Sequence, residues 1–338
     1  MAKAPPIRVG ALGLAHLHAF SMAALLREAG AELAAFHAVG GEPAVAAAFA
    51  RQHPAARACA EAREILDDES IGLVICADVP DRRAATGVAC LERGKHFFVD
   101  KPAAVTLAEL AALEQAQRAS GRLCAIYFSE RLASRATCRA LALVRTGAIG
   151  DVVETVGLGP HRVGTGRPDW FWEPARSGGV LGDLASHQMD QFLAFTGSRS
   201  AEVVTARVEN RAHPEHPAFQ DYGHVLALGD RGQGYARVDW YTPGGLGTWG
   251  DARLLVLGTG GSLEVRKNVD PAGRPGADHL ILVDDKETRH IDCARDPLGF
   301  GRELLADAAE GSERALPHDH AFLAQRLALE AQARGDGG

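Results

Sequence analysis

Between Ile7 and Phe128 the chain alternates short apolar runs with amphipathic stretches, and this alternation limits the possible folds more than any other feature. The apolar run Ile7 to Leu12 breaks at Gly13 and is followed by a helical pattern from His18 to Ala29. Further strand-like runs at Ala31 to Ala38, Gly72 to Ala77, His96 to Val99 and Leu123 to Phe128 are separated by helical stretches at Glu42 to Gln52, Arg82 to Arg93 and Leu107 to Ser120. Strands joined through helices pair in parallel, because each crossover helix covers one face of the sheet. A doubly wound parallel sheet is therefore expected over residues 1–125.

After a connecting helix at Arg131 to Arg145 the texture changes. Strand-like runs follow one another at Val152 to Gly159, Ala201 to Glu209, Tyr222 to Leu228, Gly234 to Tyr241, Arg253 to Leu257, Ser262 to Arg266 and His279 to Val283. Strands in succession imply a largely antiparallel sheet, so residues 126–338 read as an open-sheet α+β domain. Helical patterns at Leu298 to Ala309 and Pro317 to Ala333 close the chain and are free to pack back on the first domain. Two domains suit a length of 338 residues.

Composition narrows the partners. With 46% hydrophobic and 23% charged residues and a formal net charge of -7, the chain has material for two cores and lacks the basic footprint of a nucleic-acid binder. The opening Met-Ala-Lys-Ala-Pro-Pro lacks a signal-peptide run, and no apolar segment has the length of a membrane span, so a cytoplasmic protein with a small-molecule ligand is expected. The six cysteines show no zinc spacing and read as reduced thiols.

The first turn, Gly13-Leu14-Ala15-His16-Leu17-His18, follows a strand and opens a helix, the position of a dinucleotide fingerprint. G-x-G-x-x-G lets the backbone approach a pyrophosphate; here Gly13 fits, while Ala15 and His18 stand in the second and third glycine places. An ordinary tight turn is the competing reading. His16 and His18 are ligand types without a third at local spacing, so no metal site is expected. The second strand ends in Ala38-Val39-Gly40-Gly41 instead of an acid, which leaves NAD against NADP open.

Lys101 in Val99-Asp100-Lys101-Pro102 is held at the carboxyl edge of the sheet, where its ammonium can meet a substrate oxygen. In Ser177 to Gln191, a helix sets Asp183 and His187 one turn apart, with Asp190 and Gln191 on the same side. A carboxylate beside an imidazole fixes its tautomer and raises its basicity, which suits proton transfer. Flanking aromatics indicate a shielded cleft instead of a solvated face. Upstream, His161, Arg167 and Trp170 have the polar and aromatic character of a polyol pocket, with core packing as the alternative for the aromatics. Tyr127 and Arg131, where the two halves meet, are lesser candidates.

Jointly, the Gly13 turn, Val99-Asp100-Lys101-Pro102, Gly178-Gly179-x-x-x-Asp183-x-x-x-His187 and Leu257-Gly258-Thr259-Gly260-Gly261-Ser262-Leu263-Glu264 resemble the glucose-fructose oxidoreductase / inositol dehydrogenase / rhizopine-catabolism (Gfo/Idh/MocA) family along nearly the whole chain. The resemblance implies a Rossmann domain joined to an open mixed sheet, with NAD or NADP as cofactor. It implies hydride transfer at a hydroxyl or keto carbon of a sugar, cyclitol or similar polyol. By position Lys101, Asp183 and His187 are the catalytic set. Gly13, Leu14, Ala15, His16, Leu17, Val79, Pro80, Arg83 and Lys101 would line the cofactor, with Arg83 either reaching a phosphate or facing solvent. His161, Arg167, Trp170, Asp183 and His187 would bind substrate. A homodimer or homotetramer is expected by resemblance. The alternative is a catalytically idle sensor of nucleotide or sugar, favoured by the altered glycines and opposed by the intact catalytic set.

Overall fold

A computed structural model describes residues 7–337, which form two compact units. The first contains residues 7–127 and Gly299–Phe322. Its strands β1 (Arg8–Leu14), β2 (Glu32–His37), β3 (Arg57–Ala58), β4 (Leu73–Ala77), β5 (His96–Asp100) and β6 (Cys124–Tyr127) make one parallel sheet in the order β3-β2-β1-β4-β5-β6. The helices are α1 (His18–Glu28), α2 (Pro43–Gln52), α3 (Arg63–Leu66), α4 (Pro80–Glu92), α5 (Leu107–Ser120) and, from late in the chain, α10 (Phe300–Glu310). Every residue of β4 is buried, as a strand covered on both faces requires. The sequence sets the helix ends plainly at α5, where Thr106 and Glu109 form a reciprocal capping box and Gly121 closes the helix at φ 63°.

The first strand continues past its expected break. Gly13, at φ 77°, absorbs a bulge between Leu12, paired with Cys76, and Leu14, paired with Ala77. The short β3 and α3 escape periodicity because neither is long enough to show one.

The second unit contains Phe128–Leu298 and residues 323–337. It opens with α6 (Ser129–Leu132) and α7 (Arg135–Arg145) and continues with β7 (Val152–Pro160). A 3₁₀ turn (Asp169–Trp172), α8 (Pro174–Ser177), a π turn (Leu181–Ala185) and α9 (Ser186–Thr196) follow. The remaining strands are β8 (Ala201–Glu209), β9 (Tyr222–Gly229), β10 (Gln233–Asp239), β11 (Arg253–Gly258), β12 (Gly261–Arg266), β13 (His279–Asp284) and β14 (Thr288–Asp292). They form one open sheet ordered β14-β13-β12-β11-β7-β10-β9-β8. Only β7 and β10 run parallel, so the sheet is mixed and mostly antiparallel. Leu254, Val256, Leu263, Val265, Leu280 and Leu282 bury one face with Ala136 and Ala140 of α7. On the other face Val153, Leu255, Leu257 and Val283 are exposed. The last helix, α11 (His318–Asp336), begins in the first unit and ends in the second. Among the described residues no helix is long and apolar enough to cross a membrane.

Candidate functional site

In the first unit the order of strands reverses between β1 and β4, and ligands of open α/β sheets bind at such a switch point. The turn after β1 is anchored on both sides: Leu14 N–H donates to Val39 O (3.2 Å) and His16 N–H to Ala77 O (3.0 Å). A Cβ at Gly13 would lie 2.3 Å from Asp78 Cβ and 2.7 Å from its Cα, so only glycine fits there. With a methyl group alone at Ala15, the backbone of Gly13 to Leu17 is open to close approach, as a pyrophosphate requires. Burial raises the Asp78 carboxyl, although it accepts Val79 N–H at 2.7 Å.

Asp100, at the end of β5, corrects the expectation that His16 and His18 stand without a third ligand-type group. Its Oδ2 lies 3.0 Å from His16 Nδ1 and its Oδ1 2.7 Å from His18 Nδ1, and the three residues' ligand atoms fall within 4.8 Å of one another. Local spacing missed this group because Asp100 reaches the histidines across the sheet. Burial alone would raise the Asp100 carboxyl, but His18, Arg83 and His16 hold it well below the carboxylate range. Burial, reinforced by His18, pushes the His16 imidazole down to about 4. Asp100 therefore meets His18 through Oδ1, while its Oδ2 faces His16 Nδ1, which accepts the His18 backbone N–H at 3.3 Å, and the Arg83 guanidinium.

Arg83 requires a second correction: it neither reaches out for a phosphate nor faces solvent. It is 1% exposed; its Nε donates to Asp78 O (2.7 Å) and one terminal nitrogen to Lys101 O (2.6 Å) and Pro102 O (3.1 Å). The other terminal nitrogen lies 3.3 Å from Asp100 Oδ2. Arg83 thus fixes the backbone that carries Lys101. Val79 and Pro80 start α4 beside it, and Lys101 is itself buried.

In the second unit the expected helix begins as a π turn. Leu181–Ala185 is wound wider than the α-helix that continues from Ser186, a local insertion often found at functional sites. The opening amides are satisfied by a side chain, with Leu181 N–H donating to Gln332 Oε1 at 2.9 Å. Asp183 lines a small pocket with Phe171, Gly179, Phe219, Gln220 and Trp240. Arg167 lies over this aromatic wall, its guanidinium 4.5 Å from the Phe171 ring centroid and 5.3 Å from that of Trp240. Burial pushes Arg167 below its ordinary value against the opposing charge of Asp183.

His187, one position into α9, is buried with its ring 6.5 Å from that of Phe128. His161 stands at the end of β7, its ring 4.5 Å from Trp249 and 5.4 Å from Trp240. Trp170 is half-buried, 6.5 Å from Phe171. Asp190 and Gln191 do not line a cleft as the helical stripe suggested. Arg131 grips Asp190 with two bonds of 2.7 Å, and Gln191 donates to Glu130 Oε2 at 3.2 Å. Both belong to a buried frame with Lys267, whose Nζ lies 2.5 Å from Glu130 Oε2. Burial, which alone would raise the Glu130 carboxyl, is outweighed by Lys267, His187 and His161, and the group falls to about 2. Sequence reading passed over Glu130 and Lys267. The signal lay in adjacent charges, Glu130-Arg131, separated by two residues from the end of the buried strand β6.

Residues 7–128 match the model of an oxidoreductase family with an NAD-binding Rossmann fold, and residues 138–264 match the GFO/IDH/MocA C-terminal domain. The chain is 40% identical to a solved structure from Erwinia carotovora atroseptica SCRI1043, named as a candidate oxidoreductase, over 97% of this chain and 98% of that one, with a TM-score of 0.94. A levoglucosan dehydrogenase solved with NADH and levoglucosan has the same fold, with a TM-score of 0.82 at 18% identity over 98% of each chain. Among curated proteins, scyllo-inositol 2-dehydrogenase (NADP(+)) IolW of Bacillus subtilis is 30% identical over 179 residues, 52% of this chain and 48% of the relative. The chain spans about half the length of such relatives.

Proposed function

Since this chain belongs to the Gfo/Idh/MocA oxidoreductase family, we propose that it transfers hydride between NAD or NADP and a hydroxyl or keto carbon of a sugar, cyclitol or similar polyol. The observation that carries the reading is a buried imidazole, His187, in the electrostatic range of a buried carboxylate, in a chain that also has a dinucleotide-type turn at a switch point. The cofactor supplies the hydride acceptor or donor when bound at the Gly13 to Leu17 turn. This chain's residues manage the proton. A carbinol loses hydride only as its hydroxyl proton departs, and His187 is the base that takes it. Lys101, held by Arg83 through its own carbonyl, donates to the reacting oxygen. Asp183 and Arg167 bind further hydroxyls against the aromatic wall of Phe171 and Trp240, with His161 and Trp170 beside them.

The exposed apolar face around Leu255, Leu257 and Val283 supports a homodimer or homotetramer paired through the sheet. Calorimetry with NAD(H) and NADP(H), followed by absorbance assays with inositols, aldoses and anhydrosugars, tests the activity. Binding of at least one nucleotide and turnover of one polyol are expected. No binding of any of the four nucleotides overturns the reading; binding without turnover across the panel favours a nucleotide sensor.

A further inference from the structure

Glu130 carries a charge whose setting is unlike that of a stabilising surface pair. Its carboxylate is deeply buried, and its two oxygens are treated unequally. Oε2 accepts from Lys267 Nζ (2.5 Å), Gln188 Nε2 (2.9 Å) and Gln191 Nε2 (3.2 Å), while Lys267 also donates to Gln191 Oε1 (3.2 Å). Oε1 is buried and accepts no hydrogen bond among the described residues. A buried pair is weak evidence for stability, since apolar replacements of the same shape often serve as well. A buried acceptor left open is a further cost. Both are explained if the open oxygen serves a group whose charge changes during turnover.

The surroundings identify that group. His187 precedes Gln188 on α9 and, with His161, acts on the Glu130 charge. The strands beneath α9 add no charge on the facing side: β7 brings Gly157 and Gly159 against Gln188, and β10 brings Gly234 against Phe192. On β10, Ala236 and Val238 are buried as well. From α7, Cys138 donates to Arg131 O and adds no formal charge. Among the remaining titratable groups, Arg131 and Asp190 neutralise each other, Lys267 is tied to Oε2, Asp183 sits in the π turn facing the charge of Arg167, and His161 ends β7.

We infer that Glu130 is the positioning residue for His187: clamped through Oε2 by Lys267, Gln188 and Gln191, it keeps Oε1 for the imidazolium that forms when His187 takes a proton. In the step served, the carbinol O–H bond breaks, the proton joins a ring nitrogen of His187, hydride leaves for the oxidised cofactor, and Glu130 stays ionised throughout. The inference rests on the proposed role of His187 and transfers from Asp183 to Glu130 the task of holding the base.

The test compares the wild-type protein with Glu130→Gln, which preserves shape and removes charge, and Glu130→Asp, which restores charge at a shorter reach. Titration of the His187 ring by NMR, assigned through His187→Asn, reads the imidazole directly and needs no turnover. Glu130→Gln is expected to move that titration to lower pH by on the order of one unit, Glu130→Asp by less, and the acid limb of kcat/KM is expected to follow. A ring that titrates at the same pH, or keeps the same charge state throughout, in wild type and Glu130→Gln overturns the inference. If the ring shifts while the rate profile does not, the hold on His187 stands and its role as base falls. Should Glu130→Gln fail to fold, the paired Glu130→Gln/Lys267→Met protein removes both charges and is read in the same way. There, an unmoved titration relative to Lys267→Met alone overturns the inference.

Discussion

Replacing Arg83 with methionine tests how the first unit holds Lys101. The guanidinium is the countercharge nearest to Asp100 apart from two histidines, and it supplies bonds of 2.7, 2.6 and 3.1 Å to the carbonyls of Asp78, Lys101 and Pro102. Methionine fills the space but leaves three carbonyls and a buried carboxylate short of a donor. Removing one member of a buried pair costs about 3–5 kcal/mol, and hydrogen bonds to a charged group are worth about 1.5–3 kcal/mol each. These terms describe one group and cannot be summed. His16 and His18 still face Asp100, so a loss of about 3–5 kcal/mol is expected, a large part of an ordinary stability of about 5–15 kcal/mol. All four tryptophans lie in the second unit, at 170, 172, 240 and 249, so their fluorescence is the wrong probe. Urea-dependent hydrogen exchange on peptides covering residues 73–104 reads the affected strands directly. Arg83→Lys, which keeps the charge and loses the fork, is expected to fall between. A loss under about 1 kcal/mol for Arg83→Met, or a lysine variant equal to wild type, refutes the assignment of Arg83 as the brace of this edge.

Other expectations are equally specific. His187→Asn should lower kcat by about 10²–10⁴ with little change in nucleotide affinity by calorimetry, and a variant turning over at the wild-type rate removes the acid-base assignment. Gly13→Ala places a methyl group into Asp78 at positive φ; it should weaken dinucleotide binding and destabilise the protein by about 1–3 kcal/mol in thermal and calorimetric assays. His16 and His96 are both lowered by burial to about 4, so their neutral forms are favoured in the folded chain. The unfolded chain then binds more protons between about 6.5 and about 4, and stability should fall as pH drops through that window. His96→Gln should flatten part of this slope in denaturant titrations at stepped pH. Leu257→Asp, on the exposed sheet face, should reduce the oligomer mass seen by light scattering; an unchanged mass argues against pairing through that face.

Much of the fold was legible because its signals are local. The apolar run that became β4 is buried throughout and that of β5 from Phe97 onward, and the alternating runs of the second half became a mostly antiparallel sheet with one covered face. β14 was missed because Thr288 to Asp292 are mostly exposed and polar and form a strand only by pairing with β13. At the candidate site the residue types were legible and their partners were not. His16 and His18 were visible as a pair, but Asp100 meets them from 82 residues away, across the sheet. Arg83 read as either a phosphate contact or a solvent-facing arginine because nothing local reveals that the Lys101 and Pro102 carbonyls converge on it. Asp183 and His187 were read at regular α spacing, which the π turn alters. Glu130 and Lys267 lie 137 positions apart, a distance at which one sequence alone carries no pairing signal.

The shared carboxylate of Asp100 also ties together the substitutions that the turn after β1 can accept. A glycine-rich turn makes room for a pyrophosphate by carrying no side chains, whereas here His16, His18 and Arg83 meet on one acid. Placing glycine at 18 would bring the turn nearer to G-x-G-x-x-G but remove one of the three neighbours that keep Asp100 ionised. Substitutions at positions 16, 18, 83 and 100 are therefore coupled through one buried acid and are not expected to add.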